Sequence, residues 1–305
     1  MLTVLSNSFV LFLMIGLGYL LKTRGILGPQ HRKMLLTIIL NVTMPCAIIM
    51  GFDTSLNIAT LLWPFLLTCA ACLSFNLAAI AFTRGMPGQT RALTLLMTCG
   101  YFVAPFTIPF VQANIGGAAI MLIAIYDAGQ SFFNMGLNYL WASALVGGTR
   151  EKRPSPGALL KNMFSSGVLL AYVAMLVLSA LRISLPGIVL NFVGKVGGAN
   201  LFLCMIFIGL VLEFRLEAAT LRQLGRIFAI RYGGAILIAA LCLFVLPLDT
   251  TAARMITLGL LSPISTASMA YAERFGCDPK VYGAASSISF AVSMLVFSAL
   301  FLVWA

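Results

Sequence analysis

The sequence predicts an all-α polytopic membrane protein. Ten transmembrane helices are expected, in two inverted five-helix repeats whose broken helices cross at the midplane. Three observations carry this prediction: apolar stretches near 20 residues recur from end to end, Lys and Arg alternate between successive connections, and two prolines interrupt corresponding spans. Of the 305 residues, 61% are hydrophobic and 9% charged, and mean hydropathy is +1.05. A water-soluble domain carries roughly 25% charged residues, so that class is excluded. Ten spans leave only short connections and no room for a sizeable soluble domain.

The first span, 4–21, has an uncharged start, lacks a small-residue cleavage site and is followed by Lys22 and Arg24, unlike a cleaved signal peptide. The second, 34–52, follows Arg32 and Lys33 and contains Pro45. The third, 61–82, holds a C-x-x-C of Cys69 and Cys72. With no His beside it, this pair reads as packed thiols rather than a redox or metal site. Spans four and five, 91–113 and 117–146, are separated at Gly116. A polar connection at 147–164 then carries Arg150, Lys152, Arg153 and Lys161. It divides a first repeat (1–146) from a second (165–305), whose spans are 165–181, 190–212, 226–246, 252–272 and 281–304.

The net charge of +11 follows topology. Of 19 Lys and Arg, 15 lie in the odd-numbered connections. This positive-inside bias places those loops in the cytoplasm and both termini outside, in a plasma (inner) membrane. The basic balance therefore points to a lipid bilayer and to no nucleic acid. Because five is odd, the second half enters from the opposite side, so two related halves form an inverted repeat. Pro105 lies 100 residues after Leu5 and Pro263 lies 98 after Ser165, each in the fourth span of its half.

A proline within a helix removes an N–H and displaces the carbonyl four residues earlier, here Tyr101 and Gly259. In lipid such a break persists only inside protein or beside a wet cavity. With opposite span directions, the half-helices after Pro105 and Pro263 present positive N-termini to the midplane from opposite sides. No fixed countercharge occurs in either broken segment, so an anion is expected between them. The candidate substrate-binding residues are Thr98, Gly100, Pro105, Ser262, Pro263, Ser265 and Thr266, with Asn41 from span two and Asn134 from span five. The hydroxyls either contact a carboxylate or cap freed backbone groups.

Span five carries Asp127, Ser131, Asn134 and Asn138 on one helical face. Asp127 is the one acid well inside a span. It is the coupling candidate, titrating a proton or pairing with a cation; a structural acceptor role, or pairing with Arg231, is the alternative. Arg231 and Lys195 read as side chains that snorkel to the surface.

The segments TCGYFVAPFTIPF, ANIGGAA and IYDAGQSFFN resemble the fourth-span region of the auxin efflux carrier family, the PIN-like bacterial permeases. That family's pattern is approximately N-x-G-x-x-G-x-P. Gly100 and Pro105 match it, while Thr98 replaces the Asn and Val103 the second Gly. LNVTMPCAIIMGF is similar to the family's second span and SPISTASMAYAERFGCD to its ninth; LRISLPGIVL and IFIGLVLEF also fit. The resemblance implies ten spans, inverted repeats and a site where spans four and nine cross. It also implies organic-anion substrates such as auxin-like weak acids, malonate or malate.

The function expected is therefore a secondary active transporter or uniporter of a small organic anion. Alternatives are a sodium-coupled carrier like the bile-acid symporters, or a channel or receptor. An enzyme is not expected, because the spans hold no H-E-x-x-H, paired carboxylates or Ser/His/Asp set. No phosphate-binding loop, cofactor or metal is implied. Assembly is left open, with a homodimer among the arrangements compatible with the chain.

Overall fold

The computed structural model describes residues 2–50, 58–147, 167–181, 183, 185–212 and 220–304. Apart from Gly147, the connection at 147–164 and its four basic residues lie outside the described residues. Among the described residues the chain is helical with no β-strand. The helices are α1 (Leu2–Thr23), α2 (Pro29–Ile38), α3 (Met44–Met50), α4 (Ile58–Phe82), α5 (Gly88–Cys99), α6 (Ile108–Asn114) and α7 (Ala118–Phe132). Then follow α8 (Asn138–Leu145), α9 (Gly167–Leu181), α10 (Gly187–Val211), α11 (Leu221–Phe244), α12 (Thr250–Leu260), α13 (Thr266–Arg274) and α14 (Pro279–Trp304). Among the described residues, five helical stretches are long and apolar enough to cross a membrane: Gln30–Met50, Leu62–Phe82, Gly187–Val211, Leu221–Phe244 and Pro279–Trp304. Shorter apolar helices cover Phe9–Thr23 and Ala118–Phe132.

Among the described residues, three π-helical turns mark irregular points, at Ile39–Thr43, Val103–Thr107 and Phe133–Leu137. The first precedes Pro45, whose ring displaces the carbonyl of Asn41. A widened turn at 39–43 accommodates it without ending the helix.

Two bundles pack together. In one, α1 and α3 both lie against α10, and α9 lies against α3. The backbones of α1 and α10 come close because glycines face each other. A Cβ on Gly18 would lie 2.4 Å from the Ile206 carbonyl oxygen, and one on Gly209 would lie 2.3 Å from that of Ile15. Small residues at such crossings permit the backbone approach that drives helix association in lipid. The second bundle holds α4–α8 and α11–α14, with α4 and α12 packed on α7. A buried aromatic pair links it to α10, with Phe102 6.0 Å from Phe207, while Phe102 and Phe106 lie 5.6 and 5.7 Å from Phe290 of α14 within the bundle.

Both expected breaks are present, and each falls ahead of its proline or around it. After α5 ends at Cys99, the chain leaves helical geometry at 100–102, and Pro105 sits inside the following π turn. After α12 ends at Leu260, residues 261–265 are non-helical and Pro263 lies among them. The upstream displacement at the first break has a direct cause. Pro105 withdraws the N–H that would have bonded to Tyr101 and crowds that carbonyl, so the helix opens there.

Candidate functional site

The two unwound segments cross and bond to each other. Tyr101 and Ile264 form an isolated antiparallel bridge. The Phe102 N–H donates to the Pro263 carbonyl at 2.8 Å, and the Ser265 N–H donates to the Gly100 carbonyl at 3.2 Å. Backbone groups freed by one break are thus satisfied by the other, as a buried polar backbone requires. Gly100 is required by this approach: a Cβ there would stand 1.8 Å from Ser268 Oγ.

Arg231 of α11 locks the crossing. Its side chain is fully buried. Nη1 donates to the carbonyls of Met97, Thr98 and Gly100 at 3.1, 3.0 and 3.1 Å, and Nη2 to that of Ser262 at 2.5 Å. These carbonyls belong to the C-terminal ends of α5 and α12, where the helix dipole is negative and a cation is favoured. The guanidinium also lies 4.5 Å from the centre of the Tyr101 ring, in cation–π geometry. This corrects the expectation that Arg231 snorkels or pairs with Asp127. A rigid fork of donors takes up the orphaned carbonyls of both breaks, an arrangement that a short apolar sequence context does not reveal. Lys195, by contrast, is exposed on α10.

A cavity of about 300 Å³ lies beside the crossing. Tyr101–Pro105 of the first break and Ser265–Ala267 of the second line one side of it. Asp127, Gln130, Ser131 and Asn134 of α7 and its π turn supply the polar wall, and Leu36, Leu40 and Val168 an apolar one.

Asp127 is buried, and its carboxylate is well supplied with donors. The Tyr172 hydroxyl donates to Oδ2 at 2.6 Å and Gln130 Nε2 to Oδ1 at 2.9 Å. Ala104, in the first turn after the first break, lines the same cavity as this carboxylate. The turn that opens that half-helix and the Asp127 carboxylate therefore share one cavity. Ser265 caps α13 by accepting from the Ala267 N–H at 3.2 Å. Asn134 donates to Ser265 Oγ at 3.2 Å and accepts from Ser268 Oγ at 3.3 Å, tying α7 to the second break.

Of the residues singled out from sequence, Pro105, Asp127, Asn134, Ser265 and Thr266 line the cavity. Gly100 and Pro263 build the crossing through their carbonyls and do not line it. Thr98 is buried outside it, its hydroxyl turned back to the Thr94 carbonyl at 2.8 Å. The Ser262 hydroxyl is also buried away from the cavity, 2.5 Å from Thr107 Oγ1. Asn41 is exposed and donates to the Thr37 carbonyl of its own helix at 3.0 Å. Sequence reasoning missed Gln130 and Tyr172. Gln130 sits three residues after Asp127, a spacing that signals contact on a helix, whereas nothing local marks Tyr172, 45 residues away.

No protein-family model matches the chain. A protein of Methanothermobacter thermautotrophicus described as an uncharacterized transporter is 29% identical over 222 residues, covering 70% of this chain and 68% of that protein. Together with the long apolar helices, this similarity supports a membrane protein with a transport role.

Proposed function

We propose that the chain is a secondary active transporter or uniporter of a small organic anion, working by alternating access around the crossing of its two broken helices. The observation that carries this reading is the cavity of about 300 Å³ bounded by both breaks. Pockets for small molecules occupy about this size upward and combine an apolar lining with a few placed polar groups. The capped N-terminus of α13 opens beside the cavity at Ser265–Ala267. Behind Tyr101 stands the Arg231 guanidinium, which is compensated by backbone carbonyls rather than by a carboxylate. Both features favour a negatively charged guest.

The packing supports two inverted five-helix repeats: α1 lies on α10 in one pairing and α9 lies on α3 in the other, as exchange of the halves requires. Alternating access then moves one bundle against the other, the default for such repeats. Placement in the inner membrane with both termini outside completes the reading, on the charge bias of the connections.

The test is counterflow in proteoliposomes holding the full chain. Vesicles loaded with an unlabelled carboxylate are expected to accumulate the same labelled carboxylate saturably. Accumulation of cations alone would refute the anion assignment. Non-saturable flux would replace the carrier with a channel.

A further inference from the structure

The described interior contains two formally charged side chains, Arg231 and Asp127, of opposite sign. They do not pair with each other. Arg231 binds the carbonyl ends of α5 and α12, whereas Asp127 binds Tyr172 and Gln130 beside the cavity. With Asp127 ionised, the charges of the core sum to zero. An anion added to the cavity would leave one uncompensated negative charge in a low-dielectric interior, and proteins avoid such a state strongly. Adding a proton with the anion restores neutrality.

Geometry leads to the same result. Asp127 lines the cavity together with Val103, Ala104 and Pro105, which open the helical segment Val103–Asn114 after the first break, so it stands where the positive end of that segment would receive a substrate carboxylate. We propose that Asp127 is a built-in stand-in for the substrate. A carboxylate enters the cavity only when Asp127 takes up a proton and gives up its claim on these donors, so that one proton accompanies each anion. This rests on the anion-carrier reading and adds its coupling.

No charged side chain faces Asp127 among the described residues. Tyr172 of α9 and Gln130 of its own helix bond to it, and the adjoining π turn Val103–Thr107 carries no titratable side chain. Tyr126 lies next to Asp127 in sequence, but its ring packs edge-on against Tyr101 at 6.4 Å. Of the other packed elements, α4 carries Cys69 and Cys72, α3 carries Cys46, and α12 carries Arg254, which stacks on Trp304 near the ends of α12 and α14.

Tyr172 has a second part in this device. It sits on α9, in the bundle of α1, α3 and α10, while Asp127 sits in the other bundle. The bond of 2.6 Å between them therefore joins the two bundles while the carboxylate is ionised. Hydrogen bonds to an ionised group are the stronger kind. Tyr172 is a positioning residue: it stabilises the ionised carboxylate and so sets the pH at which the cavity becomes available.

The experiment measures binding of phenylacetate and of malonate to the purified full chain by thermal stabilisation. It runs from pH 6.5 to 8.5, where both probes remain ionised. The expected affinity of the unaltered chain falls with rising pH, approaching about tenfold per unit for a single linked proton. Asp127→Asn makes the affinity independent of pH. Tyr172→Phe removes a donor from the ionised carboxylate, so the midpoint of the affinity profile moves to higher pH. Binding with a flat profile in the unaltered chain overturns the proposal and leaves the anion carrier standing. A Tyr172→Phe profile that is unmoved or shifted to lower pH overturns it too, which covers a failure of Asp127→Asn to fold. No binding of either probe at any pH overturns the anion reading itself.

Discussion

The Arg231 guanidinium donates to the Ser262 carbonyl at 2.5 Å, and its other terminal nitrogen reaches Met97, Thr98 and Gly100. One side chain thereby caps the C-terminal ends of two half-helices from opposite halves of the chain. Replacing it with methionine keeps much of the volume and leaves these carbonyls without a buried donor. An unsatisfied buried group costs roughly 1–3 kcal/mol, so Arg231→Met is expected to lose on the order of 3 kcal/mol or more. Arg231→Lys should recover only part of that, because an ammonium cannot present the same planar fork. Melting temperature in detergent checks both. A lysine variant as stable as the parent would show that charge alone suffices.

Gly100 tests the crossing from the other side. A Cβ there would stand 1.8 Å from Ser268 Oγ and 2.9 Å from Ser268 Cβ, with the Leu96 carbonyl oxygen at 3.0 Å. Gly100→Ala should therefore destabilise the protein by about 1–3 kcal/mol, the usual cost of overpacking. Because the first two obstacles belong to one side chain, Ser268→Gly in the same chain should return part of the loss. A double variant whose penalties simply add, measured as a thermal double-mutant cycle, would mean the two residues do not meet.

The apolar helices and the two breaks were legible because each has a local cause: long apolar runs, five of them of membrane length among the described residues, and prolines that cannot continue a helix. The site was legible only in part. Asp127 and Asn134 stood out as polar residues in an apolar helix, and both line the cavity. Arg231 was misread because its partners are backbone carbonyls, which every residue type carries and no motif announces. Tyr172 was invisible because its phenol is ordinary in an apolar helix until the fold brings Asp127 to it.

The corrected positions of the small polar residues give a contrast that sequence alone does not. The Thr98 hydroxyl is spent on its own helix at the Thr94 carbonyl, and Asn41 on Thr37; neither lines the cavity. Thr98→Ala and Asn41→Ala should leave carboxylate affinity within about twofold, since a distant change alters binding by only a few tenths of a kcal/mol. Asn134→Ala removes a cavity-lining group that also holds Ser265 and Ser268, so it should weaken binding about tenfold, the effect of roughly 1.4 kcal/mol. Dissociation constants from isothermal titration decide the matter. Equal losses at Thr98 and Asn134 would move the ligand out of this cavity.

Cys277 follows α13 in sequence and tethers the connection before α14 to the start of α5, its thiol donating to the Gln89 carbonyl at 3.5 Å. Burial pushes that thiol up to about 11. The reactive species is the thiolate, and a free cysteine titrates near 8.5. At pH 7.5 the thiolate fraction is therefore lower by a factor of several hundred, about tenfold for each unit of the shift. Maleimide labelling of Cys277, followed by mass spectrometry, should be at least about a hundredfold slower than that of a free thiol at this pH. It should accelerate about tenfold per unit of pH until near 11. The sign for stability follows from the same shift. The fold holds the proton more tightly than the unfolded chain, so this contribution is fully present below about 8.5 and is lost as pH rises through about 11. Rapid labelling at pH 7.5 would mean that the connection opens from α5 in solution, and that the Gln89 contact does not hold the start of α5 in place.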